Sequence, residues 1–265
     1  MITAGPASAT RQADSRRPTP GGGENARAGY NAAMLRFRLL GIPHEVTPFF
    51  WLGSALLSGY LTRGGENAVL LVVVWVLCVL VSIVAHELGH ALAARRYGVQ
   101  PFVVLQQFGG LTYLPGATLS RWQHIVVSLA GPAAGGAMYL AVHTVRHLLR
   151  TFGVDDVLYD PGQTGLIVQT AIKNLLYING VWTLFNLLPI QPLDGGQVLG
   201  ATLGPRWTVV TRAIGGVCAT ACCLWALQAE RLYTAFFLGY FAYANFVGDT
   251  RSLPGGVGGD RVKEG

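Results

Sequence analysis

One uninterrupted apolar stretch, residues 68–85, constrains the fold of this chain more than any other part of its sequence. These 18 residues carry no charged side chain and a single hydroxyl group, that of Ser82. A helix needs about 20 apolar residues to cross the hydrocarbon core of a bilayer. The apolar pattern continues beyond this stretch until Arg95 and Arg96 end it. The sequence therefore predicts a membrane-spanning helix over residues 68–94.

The last part of this predicted helix contains the sequence His-Glu-Leu-Gly-His at residues 86–90. Side chains four positions apart lie on the same face of a helix, so the imidazoles of His86 and His90 point in the same direction. Two imidazoles in this arrangement can bind one Zn²⁺, and Glu87 between them can reach a water on the metal. Ionisable groups inside a membrane span are rare and usually functional, which favours a zinc site over a chance pattern.

The composition is that of a membrane protein rather than a soluble one. Hydrophobic residues make up 51 % of the 265 residues and charged residues only 12 %, whereas a soluble domain carries about 25 % charged residues. The net charge of +6 does not indicate a nucleic-acid partner, because the basic residues lack the interleaved aromatic residues of a nucleic-acid platform. The lipid bilayer is the expected partner, and nucleic acid is not.

About six helices are predicted to cross the membrane, which makes the fold class all-α and polytopic. Residues 99–115 differ, because they are rich in β-branched and aromatic residues around a Gly-Gly pair. This pattern predicts a short membrane-associated β-ribbon after the second helix. The free edge of the ribbon could pair with an extended substrate, although a purely structural hairpin explains the pattern equally well. The predicted spans are residues 48–61, 68–94, 125–145, 165–188, 209–227 and 232–247.

Residues 35–247 are predicted to form one intramembrane domain between two polar tails. Residues 1–34 are rich in Ala, Gly, Ser, Pro and Arg, cannot bury enough apolar surface to fold, and are expected to be disordered. Residues 248–265 form a Gly-rich C-terminal tail. Placing both tails in the cytoplasm puts 14 of the 19 Lys and Arg residues on that side. We therefore expect a multi-pass protein of the cell membrane with both termini cytoplasmic.

The fourth predicted span ends in a segment that breaks the helix. Pro189 and Pro192 interrupt the backbone ladder, and Gly195 and Gly196 permit a sharp change of direction. Asp194 is therefore a carboxylate at a broken helix end within the depth of the membrane. Because carboxylate oxygens bind zinc together with imidazoles, Asp194 is the predicted third metal ligand.

Together these segments resemble the site-2 protease family of intramembrane zinc metalloproteases. The specific signal is the pairing of His-Glu-x-x-His at 86–90 with Phe-Asn-Leu-Leu-Pro at 185–189 and Leu-Asp-Gly-Gly at 193–196, because the first motif alone occurs in many zinc proteases. The resemblance extends over about residues 36–205 and implies a minimal form without PDZ or CBS domains. Supporting sequences are Gly-Ile-Pro at 41–43, Phe-Gly-Gly at 108–110 and Ser-Leu-Ala-Gly-Pro at 128–132.

The family pattern implies a role for five residues of this chain. His86, His90 and Asp194 would bind one zinc ion per chain, and Glu87 would be the catalytic residue. Asn186 would contact the substrate or stabilise an oxyanion. The apolar domain would then be an intramembrane metalloprotease, and its macromolecular partner would be a transmembrane protein substrate.

The expected reaction is hydrolysis of a peptide bond within or near a transmembrane segment, with water activated by zinc and Glu87 as the base. One alternative stays open, a catalytically silent membrane adaptor that keeps zinc for stability. A membrane zinc protease with a downstream Glu ligand fits less well, because only Glu230 and Glu264 are available, in a loop and a tail. A transporter also fits less well, because it would need acidic residues along several spans and only Glu87 and Asp194 are placed in this way. A regulatory membrane partner is neither indicated nor excluded.

Overall fold

The computed structural model describes residues 34–107, 109–153, 156, 160 and 162–247. The two predicted tails, residues 1–34 and 248–265, lie outside this part of the chain except for Met34. The prediction that the first of them is disordered therefore stays a prediction.

Helices make up most of the described chain, and four short strands lie before and after the longest apolar helix. The strands are β1 (Leu35–Leu39), β2 (Ile42–Val46), β3 (Phe102–Gln106) and β4 (Gly109–Tyr113). The helices are α1 (Pro48–Leu57), α2 (Tyr60–Arg63), α3 (Ala68–Arg96), α4 (Arg121–Thr151), α5 (Gln163–Asn186), α6 (Asp194–Leu203), α7 (Thr208–Gln228) and α8 (Leu232–Val247). One turn of 3₁₀ helix, Pro205–Trp207, leads into α7.

Three helical segments of the described chain are long and apolar enough to cross a membrane. They are α3, α4 and the 24-residue segment Pro205–Gln228, which contains α7. Of the other three predicted spans, α1 and α8 are apolar but only 10 and 16 residues long. Helix α5 has 24 residues but carries the buried amides of Asn174, Asn179 and Asn186, which lower its hydropathy. The structure thus supports a polytopic membrane protein with three candidate spans.

The first predicted span, residues 48–61, is two helical pieces in the structure. Helix α1 ends at Leu57, and the short helix α2 begins at Tyr60. Between them Gly59 has a φ of 66°, which is the left-handed conformation that ends a helix. Gly59 therefore divides into two helices a segment that hydropathy alone predicts as one span.

The predicted β-ribbon is confirmed as strands β3 and β4, which pair antiparallel. It belongs to a four-stranded sheet in the order β1-β2-β3-β4, in which β2 and β3 run parallel. Strands β1 and β2 were not predicted. Their signal is weak: Arg36 and Arg38 alternate with apolar residues, which is the period of a strand. Gly41, with a φ of 81°, permits the tight turn between them, and a 3.0 Å ion pair joins Arg36 to Glu45.

One face of this sheet packs against α1 and the second half of α3. Because that half of α3 contains the His-Glu-x-x-His sequence, the sheet lies directly beside the predicted site. Strand β4 is an end strand of the sheet and contributes contacts to the site that are described below. The buried apolar residues of this core are Ile42, Val46, Phe50, Ile83, Ala91, Val103 and Leu105.

Candidate metal centre

Three side chains from two distant parts of the chain meet at one point. Nε2 of His86 lies 3.1 Å from Oδ2 of Asp194, and Nε2 of His90 lies 3.3 Å from Oδ1 of the same carboxylate. The two Nε2 atoms are 3.2 Å apart. Both imidazoles are buried. Within the described chain these three residues form a group that could hold one metal ion.

The geometry of this group fits a tetrahedral zinc ion. Ligand atoms at about 2.0–2.1 Å from such an ion are about 3.3–3.4 Å from one another, and the separations here are 3.1, 3.2 and 3.3 Å. Nδ1 of His90 donates a 2.7 Å hydrogen bond to the carbonyl of Val127. In the neutral ring, Nε2 then presents its lone pair toward the carboxylate of Asp194, and a cation bound between the two groups would join them.

Glycines bring α3 and α4 close enough to position His90. A Cβ at Gly89 would collide with the carbonyl of Ala130, so the two helices approach at backbone distance there. A Cβ at Gly131 would collide with the imidazole of His90. The ring of His90 therefore lies against bare backbone of α4, where it also reaches the carbonyl of Val127.

Asp194 occupies the first turn of α6, where the positive end of the helix dipole stabilises a carboxylate. The two glycines that follow allow the helix to start tightly against the preceding loop. A Cβ on Gly195 would collide with the carbonyl of Leu187, and one on Gly196 would lie 2.5 Å from the carbonyl of Ile190. The sequence prediction of a sharp redirection is confirmed, and close packing is its physical cause.

Glu87 follows His86 in α3, and strand β4 holds its side chain. The hydroxyl of Thr112 donates a 2.7 Å hydrogen bond to Oε2 of Glu87. The backbone of Gly110 packs against the same side chain, since a Cβ there would collide with Cγ of Glu87. Glu87 is only 6 % exposed. A buried carboxylate with one oxygen fixed by a hydroxyl donor is a candidate base.

Asn186 is the last residue of α5 and lies at the start of the loop that leads to Asp194. Its side chain is buried, at 8 % exposure. Within the described residues the side-chain amide makes no hydrogen bond to the protein. The structure thus places this amide near the chain segment of the metal group without fixing it to His86, His90 or Asp194.

Residues 74–159 match the sequence model of peptidase family M50. The match covers about a third of the chain, which is thus similar to this family over that region. The matched region contains His86, Glu87 and His90, whereas Asp194 lies beyond its end.

Two curated relatives are each 37 % identical to this chain over the matched residues. A Synechocystis protein matches over 171 residues, which are 61 % of this chain and 41 % of the relative. Rip3 of Mycobacterium tuberculosis matches over 165 residues, which are 60 % of this chain and 38 % of the relative. Their names provisionally describe both as zinc metalloproteases. The chain therefore spans about two fifths of the length of these relatives.

A solved structure, the site-2 protease from Methanocaldococcus jannaschii, has the same fold. The match has a TM-score of 0.54 at 23 % sequence identity and covers 80 % of this chain and 93 % of that one. The architecture described above is thus a known fold rather than a chance bundle of apolar helices.

The sequence predicted the three candidate ligands and Glu87 of this site, but it did not predict the groups that hold them. Thr112 and the carbonyl of Val127 carry no motif of their own, and their roles depend on packing. Gly131 did stand in a recognised sequence, Ser-Leu-Ala-Gly-Pro at 128–132, and its contact with His90 gives that sequence a physical reason. Phe108 of the predicted Phe-Gly-Gly sequence lies outside the described residues.

Proposed function

We propose that this chain is a zinc metalloprotease that hydrolyses a peptide bond within or near a transmembrane segment of a membrane-protein substrate. The observation that carries the proposal is the approach of Asp194 to the imidazoles of His86 and His90, with Glu87 held beside them by Thr112. The match of residues 74–159 to peptidase family M50 and the names of the relatives support the same activity.

His86, His90 and Asp194 would hold one zinc ion, for which their three donor atoms have suitable spacing. When bound, such an ion would supply Lewis-acid chemistry, which makes a scissile carbonyl a better electrophile and water a better nucleophile. The hydrogen bond from His90 to the carbonyl of Val127 fixes the ring and its tautomer.

Glu87 is the proposed general base. Its Oε2 is occupied by the hydroxyl of Thr112, whereas no described residue donates a hydrogen bond to Oε1. Oε1 can therefore accept a proton from the attacking water and later pass it to the amine that leaves. In the complete reaction one water is consumed and the peptide gives a carboxylic acid and an amine.

Asn186 is the proposed donor to the oxyanion that develops on the scissile carbonyl. A buried amide without a protein partner has a donor available for substrate, and a fixed donor is worth most where water is excluded. Its place at the end of α5, ahead of the loop to Asp194, is consistent with this role.

A substrate helix hides its scissile bond in its own hydrogen-bond ladder, so it must unwind before Glu87 can act. Strand β4 offers a place for the unwound segment. It is an end strand, and its residues Gly110 and Thr112 already contact Glu87. An extended substrate backbone paired with β4 would lie next to the catalytic carboxylate. Helix-breaking residues near the scissile bond should therefore favour cleavage.

The proposed environment is a cell membrane with the chain crossing it about six times and both termini in the cytoplasm. The three candidate spans of the described chain, α3, α4 and the segment Pro205–Gln228, support this proposal. The positive-inside rule supports the orientation, because Arg95 and Arg96 close α3 only five residues after His90. Cleavage would then occur near the cytosolic end of a transmembrane segment and release a cytosolic fragment.

The test is a cleavage assay with the full chain in lipid nanodiscs containing zinc. The probes are a panel of single-span membrane proteins tagged at both ends, some with Gly or Pro placed in the span. The wild type should cut at least one of them, preferably within a span that contains helix breakers. Glu87→Gln should lower the cleavage rate by at least about 10²- to 10⁴-fold, because it removes the base and keeps the shape.

The matched control is Glu45→Gln. Glu45 also follows a histidine, His44, but it lies in β2, where it forms an ion pair with Arg36 of β1. This variant should cut at the wild-type rate. Equal cleavage by Glu87→Gln and the wild type would refute the mechanism, and zinc binding without cleavage of any probe would favour the silent adaptor.

A further inference from the structure

Asn245 of α8 is 2 % exposed, and its side chain forms hydrogen bonds with the backbone of one loop residue, Gln191. Its Oδ1 accepts a 3.3 Å hydrogen bond from the N–H of Gln191, and its Nδ2 donates a 2.8 Å bond to the carbonyl of the same residue. Nδ2 also donates to the carbonyl of Phe241, one turn earlier in α8, at 2.8 Å. The carboxamide thus pairs with Gln191 as one peptide group pairs with another in a sheet.

Gln191 lies three residues before Asp194 and continues the connection into α6. Its Nε2 donates a 2.8 Å hydrogen bond to the carbonyl of Gly196, in the first turn of that helix. The loop between them is closed by a 2.8 Å bond from the N–H of Leu193 to the carbonyl of Ile190. A chain of short hydrogen bonds therefore runs from α8 through Gln191 to the turn that carries Asp194.

Neighbouring groups of α7 fix the position of the Asn245 side chain. Arg212 of α7 donates from Nε to the backbone carbonyl of Asn245 at 3.0 Å. Gly215 of α7 forms the floor of the slot, because a Cβ there would lie 2.5 Å from Oδ1 of Asn245 and 3.0 Å from the carbonyl of Pro189. Helices α7 and α8 carry none of the candidate ligands, yet both pack around the amide of Asn245 and the loop that this amide binds.

We propose that Asn245 is a positioning residue that sets where the carboxylate of Asp194 stands relative to His86 and His90. The inference rests on the zinc site of the proposed function. The two imidazoles are fixed on α3, whereas Asp194 follows a proline-rich loop whose backbone polar groups lie among apolar side chains. Asn245 pairs with both the N–H and the carbonyl of Gln191 in that loop. Without this partner, the loop could adopt several orientations, because its backbone groups would have to find other hydrogen bonds.

The test measures zinc affinity of the full chain in detergent by competition with a chelator of known affinity. Asn245→Leu removes both bonds to Gln191, and Asn245→Asp keeps the size but loses the donor. Both should weaken zinc binding about 10- to 100-fold, as is typical for groups that orient a ligand. With Co²⁺ in place of zinc, the visible absorption spectrum should change, because it reports the arrangement of the ligands.

The matched control is Asn179→Leu. Asn179 is 3 % exposed and donates two hydrogen bonds, to Ser82 Oγ at 2.8 Å and to the carbonyl of Leu175 at 2.9 Å. It lies in α5 outside the loop that holds Asp194. This variant should lose thermal stability yet keep wild-type zinc affinity and the wild-type cobalt spectrum, which separates positioning from stability.

Zinc affinity within twofold of wild type and an unchanged cobalt spectrum in folded Asn245→Leu would overturn the inference. If that variant does not fold, Gly215→Ala takes its place, because the added methyl crowds the oxygen of Asn245 and the carbonyl of Pro189. Wild-type zinc binding by Gly215→Ala would equally overturn it. A wild-type chain that cuts its substrate while the Asn245 variants bind zinc normally refutes this inference alone, whereas a wild-type chain that binds no zinc refutes the proposed function and this inference with it.

Discussion

The hydroxyl of Thr112 in strand β4 lies 2.7 Å from Oε2 of Glu87 in helix α3. This bond joins the small sheet to the helix that carries the His-Glu-x-x-His sequence. It also gives the sheet a role beyond covering the helix, because it fixes one oxygen of the proposed base. A hydrogen bond to a charged group contributes about 1.5–3 kcal/mol, which is enough to decide the orientation of a side chain.

Thr112→Val should lower kcat by about 10- to 100-fold, because the substitution keeps the shape and removes the donor to Glu87. The KM for a membrane-protein substrate should change little, since the hydroxyl is occupied by Glu87 rather than by substrate. Thr112→Ser restores a hydroxyl and should recover most of the rate. Steady-state kinetics in nanodiscs test this, and a Thr112→Val enzyme with wild-type kcat would show that the bond has no part in catalysis.

Gly131→Ala should weaken zinc binding at least about tenfold. The added methyl would collide with the imidazole of His90 and push that ring away from Asp194. Gly136→Ala is the control in the same helix, because a Cβ there meets no atom within 4 Å. Helical Gly→Ala in open space stabilises by about 0.5–1 kcal/mol, so the control should melt slightly higher and bind zinc normally. Equal zinc affinity in the two variants, measured by chelator competition, would contradict the packing argument.

Much of the candidate metal site could be predicted from sequence because its chemistry is local. His86 and His90 share a helical face through their spacing, and Asp194 stands out as a carboxylate after two prolines. Thr112 could not be found in this way. Its side chain reaches Glu87 only in the observed pairing of β3 with β4, and a slip of one residue would turn it to the opposite face.

The fold was predicted less completely for a related reason. The apolar run of α3 is decisive by itself, whereas β1 and β2 are five residues each and contain Arg, Pro and His. Strand β2 pairs with its neighbour β1 and also with the parallel strand β3, more than 50 residues later and across α3. Such pairing has no local signature. Hydropathy likewise cannot show which amides of α5, such as Asn179, are satisfied inside the bundle.

Removal of zinc should destabilise the wild type and leave Asp194→Ala nearly unaffected. At a free zinc concentration about 100 times the dissociation constant, binding contributes about 2.7 kcal/mol to the free energy of unfolding. Thermal melting in detergent with and without chelator measures the difference. Asp160→Ala is the control: Asp160 accepts from the N–H groups of Gly162 and Gly165 at 2.9 and 3.2 Å, so its loss should lower stability and keep the zinc-dependent difference. A zinc-dependent difference that persists in Asp194→Ala would exclude Asp194 as a ligand.

Asn186→Ala should reduce kcat by about 10²- to 10³-fold while zinc affinity stays at the wild-type value. The size follows from the loss of one fixed donor to a developing oxyanion, and the metal should remain because Asn186 makes no hydrogen bond to the three candidate ligands. Asn174→Ala is the matched control in the same helix, since Asn174 is also a buried amide and its Nδ2 has no partner in the described residues. That variant should keep wild-type kcat. If both variants lose the same fraction of activity, or if Asn186→Ala loses zinc, the amide of Asn186 supports the fold of α5 and does not act on the substrate.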